Sequence, residues 1–265
     1  MIEVSMESAL KYETRGPVAW LTMNRPQAMN SISLEMTSLY EKYLPEIAAD
    51  DSIRVLVLTG TGRAFCAGAD LKEVLASGSL PPGDADFLER ICAVFDALRN
   101  FPKPVIASLN GTTMAGGLEA AMCADIVIAD EDARIGDAHA NFGVYPGAGG
   151  ASILPRLIPL NIAKYLLLTG KTLSANEMKG YGFVNEVVSG DQLAAATQEL
   201  AEGIAQKSPI ALQRMKIVAN ATQGESRDVA LQHEQVMLRR HMRSYDMAEG
   251  LQAFAEKRQP DFKGR

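Results

Sequence analysis

An α/β fold followed by a helical region is what this chain predicts, on two observations. Short runs of strand formers alternate with segments of helical spacing through the first half, and those strands are apolar along their length. Continuous apolar strands are buried on both faces, which calls for layers of helices against a largely parallel sheet. From about Pro159 onward the pattern turns mainly helical.

The elements follow in order. Val18–Met23 and Val55–Thr59 read as strands, with helical spacing over Ser33–Ala49 between them. Phe87–Arg99 reads as a helix with Leu88, Ile91, Val94, Phe95 and Leu98 on one side. The strand Val105–Leu109 ends in a glycine-rich turn, which opens onto a helix carrying Glu119 in its first turn. Ile126–Ala129 is the next strand and leads into Ala133-Arg134-Ile135-Gly136. Leu166-Leu167-Leu168-Thr169-Gly170, Ala175–Gly180, Leu193–Gln206 and Val229–Met242 read mainly as helices. Ser208-Pro209 and Thr222–Glu225 punctuate them.

Composition narrows the function classes. The chain has 265 residues, 47% hydrophobic and 22% charged, enough to bury a sizeable core. A net charge of -6 and the lack of a basic stripe argue against nucleic acid as a partner. Cys66, Cys92 and Cys123 form no disulfide framework and have no partners at metal-ligand spacing, so a reducing cytoplasm and no metal site are expected. Met1–Ser8 lacks the basic-then-apolar signature of a leader, and no stretch has the apolar length of a membrane span. No nicotinamide fingerprint is evident, and no cofactor is expected.

The chemistry concentrates at two loops. Gly111-Thr112-Thr113-Met114-Ala115-Gly116-Gly117-Leu118-Glu119 turns sharply into a helix. The first N–H groups of a helix lack intrahelical partners and sit at the positive end of its dipole, so they suit an anion or an oxygen that becomes one. Ala64-Phe65-Cys66-Ala67-Gly68-Ala69-Asp70-Leu71-Lys72 follows another apolar strand and offers a second loop of small residues. Two such loops can give one N–H each to a single oxygen. A carboxylate one turn away supplies a proton acceptor, and together they suggest chemistry on a carbonyl compound.

These motifs, with Tyr145-Pro146-Gly147-Ala148-Gly149-Gly150 and Leu168-Thr169-Gly170 in the same order, resemble the crotonase (enoyl-CoA hydratase/isomerase) superfamily. The resemblance runs from Val18 to Pro260. It implies a superhelix of repeated β-β-α turns: a core over residues 1–200 holding the CoA and catalytic site, and a C-terminal helical region over 201–265 that covers the site and packs between subunits. It also implies a homotrimer or a dimer of trimers, with CoA carried as part of the substrate.

By the same resemblance, a thioester carbonyl sits between the N–H groups of Ala69 and Gly116. Ala67, Ala69, Asp70, Leu71 and Lys72 lie along the CoA, and Phe262 and Lys263 reach a neighbouring subunit's CoA. Asp70 could equally hold the loop or cap the following helix. Glu119 matches the first of the family's two catalytic glutamates, while counting back from Pro146 puts His139 where the second belongs. With an ordinary pKa of about 6.5, a histidine there can give or take a proton near neutrality. Asp137 is a weaker candidate, as an orienting partner or a cap. Met114, Tyr145 and Leu75–Asp84 are candidates for shaping the acyl pocket, and Gly147–Gly150 reads as a structural turn.

The leading expectation is hydration of a 2-enoyl-CoA. Double-bond isomerisation and C–C hydrolysis of a β-keto acyl-CoA are alternatives that need the same oxyanion hole. A non-catalytic acyl-CoA binder or an RNA-binding protein would be a different class.

Overall fold

The computed structural model describes residues 8–77 and 86–265. Its strands are β1 (Leu10–Arg15), β2 (Val18–Met23), β3 (Val55–Gly60), β4 (Ala64–Cys66), β5 (Val105–Leu109), β6 (Thr112–Met114), β7 (Ile126–Asp130), β8 (Arg134–Gly136), β9 (Thr172–Ser174) and β10 (Glu186–Val188). Its helices begin with α1 (Leu34–Ala49), α2 (Leu71–Ser77), α3 (Phe87–Arg99), α4 (Gly116–Ala121), α5 (Leu154–Leu157) and α6 (Leu160–Thr169). They continue with α7 (Ala175–Gly180), α8 (Leu193–Ala205), α9 (Pro209–Ala221), α10 (Arg227–His241) and α11 (Tyr245–Glu256).

One sheet runs β1-β2-β3-β5-β7-β10 and a second runs β4-β6-β8-β9. In the first, only the β1–β2 pairing is antiparallel. Each turn of the chain gives a strand to the first sheet, a short strand to the second, and then helix: β3-β4-α2, β5-β6-α4, β7-β8-α5. This is the repeated β-β-α superhelix with helices at its C-terminal end.

Strand alternation explains the two cores. Leu56, Leu58, Ala107 and Leu109 face the main core, packed with α1 and α3. Val55, Val57, Ile106 and Ile128 point the other way, into a smaller cluster with Trp20 and, from α8, Leu193 and Ala201. Trp20 Nε1 donates to Gln198 at 2.8 Å, and Ser108 and Thr197 pair at 3.0 Å, so α8 is tied to the sheet by polar contacts too. Helix α8 therefore runs across residue 200 while packing on the core sheet.

Most expected elements stand where their periodicity put them. Ser33 caps α1 by accepting from the Met36 N–H, and Asp86 and Glu89 form a capping box that starts α3. One side chain differs: Leu88 is 44% exposed, and Phe87 takes the buried place. Phe87, Ile91, Val94, Phe95 and Leu98 make the i, i+4, i+7, i+8, i+11 stripe, and Leu88 lies one position round the helix.

Beyond α8, helices α9 and α10 bury no residue fully in the protomer. The chain end folds back on α11. Buried Asp246 accepts from the N–H groups of Lys263 and Gly264, while Glu249 accepts from Arg258 and the Asp261 N–H. Among the described residues no helix is long and apolar enough to cross a membrane.

Candidate active site

The loops that follow β4 and β6 meet because glycine lets them. A Cβ on Gly116 would lie 3.3 Å from the Gly68 Cα and 3.4 Å from the Ala69 nitrogen. One on Gly117 would lie 2.0 Å from the Cys66 carbonyl oxygen, so no side chain fits there. Ala115, which starts α4, is held at φ +50° and ψ -123°, a conformation L residues rarely adopt. The Ala69 and Gly116 N–H groups are thus neighbours, and neither donates to a protein acceptor among the described residues.

The first loop is braced from behind. Ile32 N–H donates to Gly68 O and Asp70 N–H to Ile32 O, both at 2.8 Å. Arg25 Nη2 donates to Asp70 Oδ2 at 2.9 Å, and Arg25 Nη1 to Ser31 O at 2.7 Å. Asp70 Oδ1 accepts the Lys72 N–H, which ties the loop to α2. Burial works against the ionised Asp70 carboxyl, but Arg25 and the Lys72 amide outweigh it and hold its pKa below the ordinary value. The Asp70 carboxylate thus both braces the loop, through Arg25, and caps α2, through the Lys72 N–H. Leu71 and Lys72 are exposed at the start of α2, and Ala67 is half-buried beside them. Cys66 is fully buried with its thiol pushed up to about 12, as suits a packing residue.

Glu119 sits in α4, 4% exposed. Its Oε1 accepts the Ala148 N–H at 2.8 Å and the Gly150 N–H at 3.0 Å. Oε2 makes no hydrogen bond among the described residues. The glycine-rich run after Tyr145 is therefore the seat of the carboxylate, a function that its reading as a turn had missed. That seat is itself held: Arg99 of α3 donates to Ala148 O at 3.2 Å and pairs with Asp96. An open cleft of about 210 Å³, lined by Cys92, Asp96, Arg99 and the 147–149 backbone, borders this loop on its α3 side.

His139 begins the short helical turn after β8. Ala138 takes a left-handed conformation, φ +62°, which folds His139 back onto Asp137. Asp137 Oδ1 lies 3.2 Å from the His139 N–H and 3.0 Å from its Nδ1. Asp137 is 1% exposed, and its Oδ2 has no hydrogen-bond partner among the described residues. Burial disfavours charge on the imidazole, but the bond to Asp137 and the charges of Asp137 and Glu119 prevail, so the His139 pKa is raised. Gly150 joins the two halves: its N–H holds Glu119, and a Cβ there would lie 2.6 Å from Asp137 Oδ2.

The family model described as enoyl-CoA hydratase/isomerase matches residues 13–265. The chain belongs to that family. It is 41% identical over 258 residues to YngF of Bacillus subtilis, whose name carries the same hydratase/isomerase description, covering 93% of this chain and 95% of that one. The carnitinyl-CoA dehydratase of Proteus mirabilis is 36% identical, covering 98% of this chain and 100% of that one. The solved structure of an enoyl-CoA hydratase from Bacillus anthracis superposes with a TM-score of 0.90 at 35% identity, covering 97% of this chain and 100% of that one.

Other expected site residues of this family member are spread more widely. Met114 ends β6 beside Gly68 and is half-buried. Tyr145 is 81% exposed. Of Leu75–Asp84, residues 78–84 lie outside the described residues. Phe262 packs over Gly250, and the tail touches Arg54 just before β3, whereas Ala67 and Ala69 come after the far end of that strand.

Proposed function

We propose that the protein is an acyl-CoA enzyme that reversibly adds water across the double bond of a 2-enoyl-CoA. One conjunction carries this reading: two neighbouring N–H groups, Ala69 and Gly116, without protein acceptors, and one turn further along α4 a buried carboxylate with one oxygen seated and the other unbonded. Attack of water at C3 sends charge to the thioester oxygen, where the two N–H groups receive it. Losing one such donor typically costs roughly 10²–10³ in rate. Glu119 Oε2 takes the proton of the attacking water, and His139 takes part in proton transfer to C2.

Ala67, Leu71 and Lys72 then flank the CoA, and Met114 the acyl side. Phe262 and Lys263, at the other end of β3 from their own loop, serve a neighbouring subunit's CoA in a trimer or a dimer of trimers. The apolar residues exposed on α9 and α10, Met215, Ile217, Leu231 and Leu238 among them, support such an assembly. The three unpaired thiols suit the cytoplasm.

The test is incubation with a panel of 2-enoyl-CoA and cyclic β-keto-CoA thioesters, followed by mass spectrometry. Addition of water to an enoyl-CoA is expected. A moved double bond at unchanged mass would assign isomerisation, for which Glu119 alone suffices, and ring opening with uptake of water would assign C–C hydrolysis. Thioesters bound but unchanged would replace the enzyme by a binder.

A further inference from the structure

We propose that Asp137 is a positioning residue that holds His139 as a cationic proton donor facing Glu119, so that this site pairs a carboxylate base with an imidazolium acid. The inference deepens the hydration reading and rests on it for the catalytic step. It starts from the unpartnered, buried Oδ2 of Asp137. A buried carboxylate with one bare oxygen is costly unless a countercharge stands beside it. The nearest group able to carry one is His139, whose backbone N–H and Nδ1 both address Oδ1.

That double attachment, with the left-handed turn at Ala138, fixes the ring. Nδ1 carries a hydrogen toward Asp137, and Nε2 is the nitrogen left for the substrate side. The charges acting on the imidazole are Asp137, from its own segment, and Glu119 from α4, and both favour the cation against the opposing effect of burial. From α6, packed against this turn, Lys164 and Tyr165 are exposed, and Lys171 just beyond that helix lies over the Tyr165 ring.

The step balances. Water attacks C3 and loses a proton to Glu119 Oε2, while the C2–C3 π pair moves into the thioester enolate. The enolate collapses as Nε2–H gives its proton to C2, leaving neutral His139 and protonated Glu119. Transfer of one proton from Glu119 to His139 restores the starting state. A histidine here does not imitate a second carboxylate. It delivers the proton from a cation.

The experiment is an NMR titration of the His139 imidazole in the full-length protein, with a pH profile of kcat/KM on a turned-over 2-enoyl-CoA. Only three histidines need assignment. In the wild type, His139 should titrate above about 6.5, the ordinary value. In Asp137→Asn it should titrate at lower pH, with the alkaline limb of the profile moving down with it and kcat at neutral pH falling roughly 10²-fold, within what a placed proton donor contributes. A folded Asp137→Asn protein with unmoved titration and limb overturns the proposal. If that variant does not fold, the wild-type titration decides, and a value at or below 6.5 overturns it. Failure of the hydration reading shows separately, as absence of turnover in the wild type whatever the titration gives.

Discussion

The wall of the site made by Ala67–Ala69 and Ala115–Gly117 offers a ligand main-chain groups alone, whereas the wall made by Asp137–His139 and Ala148–Gly150 works through side chains that it seats. The first is fixed by exclusion: glycines stand where a Cβ would strike backbone, and Ile32 and Arg25 brace the loop from behind. The second is fixed by hydrogen bonds, two to Glu119 and two to Asp137. A backbone wall presents the same N–H groups whatever the reaction, so it marks a family. In the proposed hydration the proton transfers fall to the side chains of the other wall, and there this chain carries a histidine and a buried aspartate.

Substitutions can break that contrast. The largest effect is expected from Glu119→Gln, which keeps size and polarity but removes the proposed base. Turnover should fall roughly 10²–10⁴-fold with the fold intact, and steady-state kinetics with a circular-dichroism melt would show it. A loss smaller than tenfold would mean that the proton goes elsewhere. Next comes the backbone wall. Gly117→Ala presses a methyl onto the Cys66 carbonyl and should cost about 1–3 kcal/mol in denaturant unfolding. Gly147→Ala, just outside the other wall, meets nothing within 4 Å and should stay within about 0.5 kcal/mol of wild type. Equal costs at the two positions would mean that exclusion at Gly117 does not fix the backbone wall.

A smaller effect tests the seat of Glu119 from outside the site. Arg99→Met removes the donor to Ala148 O and should cost about 1 kcal/mol. It should lower kcat more than it raises KM, because the loop that aims the base is loosened. The smallest effect is a pH dependence of stability. Because the folded His139 pKa is raised, the pair's contribution is fully present below about 6.5 and is lost as pH rises through the folded value. The stability difference between wild type and His139→Gln should therefore be larger at pH 5.5 than at pH 9, by chemical denaturation. A flat difference would mean that no charge couples the pair.

Local signals carried much of this molecule. The strands at Val18, Val55 and Val105 stand as their apolar runs indicated, and α3 and α8 as their spacing did. Glu119 was legible because a glycine turn and a helix start are features of adjacent residues. What brings Ala148 and Gly150 to Glu119 was not, since those bonds span 29 and 31 residues and depend on how successive turns of the superhelix stack. The tie between Asp137 and His139 is only two residues long, and the sequence offered Asp137 as an orienting partner or a cap; the left-handed Ala138 that folds the ring back onto it was not legible, because alanine gives no such signal. The exposed faces of α9 and α10 show the same limit from the other side: periodicity announces a helix but not what covers it.

Gly150 carries one further consequence. Because it both donates to Glu119 and packs against Asp137, the energies of the two carboxylates are coupled through a single peptide. Glu119→Gln and Asp137→Asn should therefore fail to add in a double-substitution cycle, as residues sharing a backbone neighbour commonly do. The same linkage narrows the routes by which such a site can be redesigned or can drift. Exchanging Asp137 for a residue of another size presses on the peptide that seats Glu119, so such a change calls for a compensating one around residue 150.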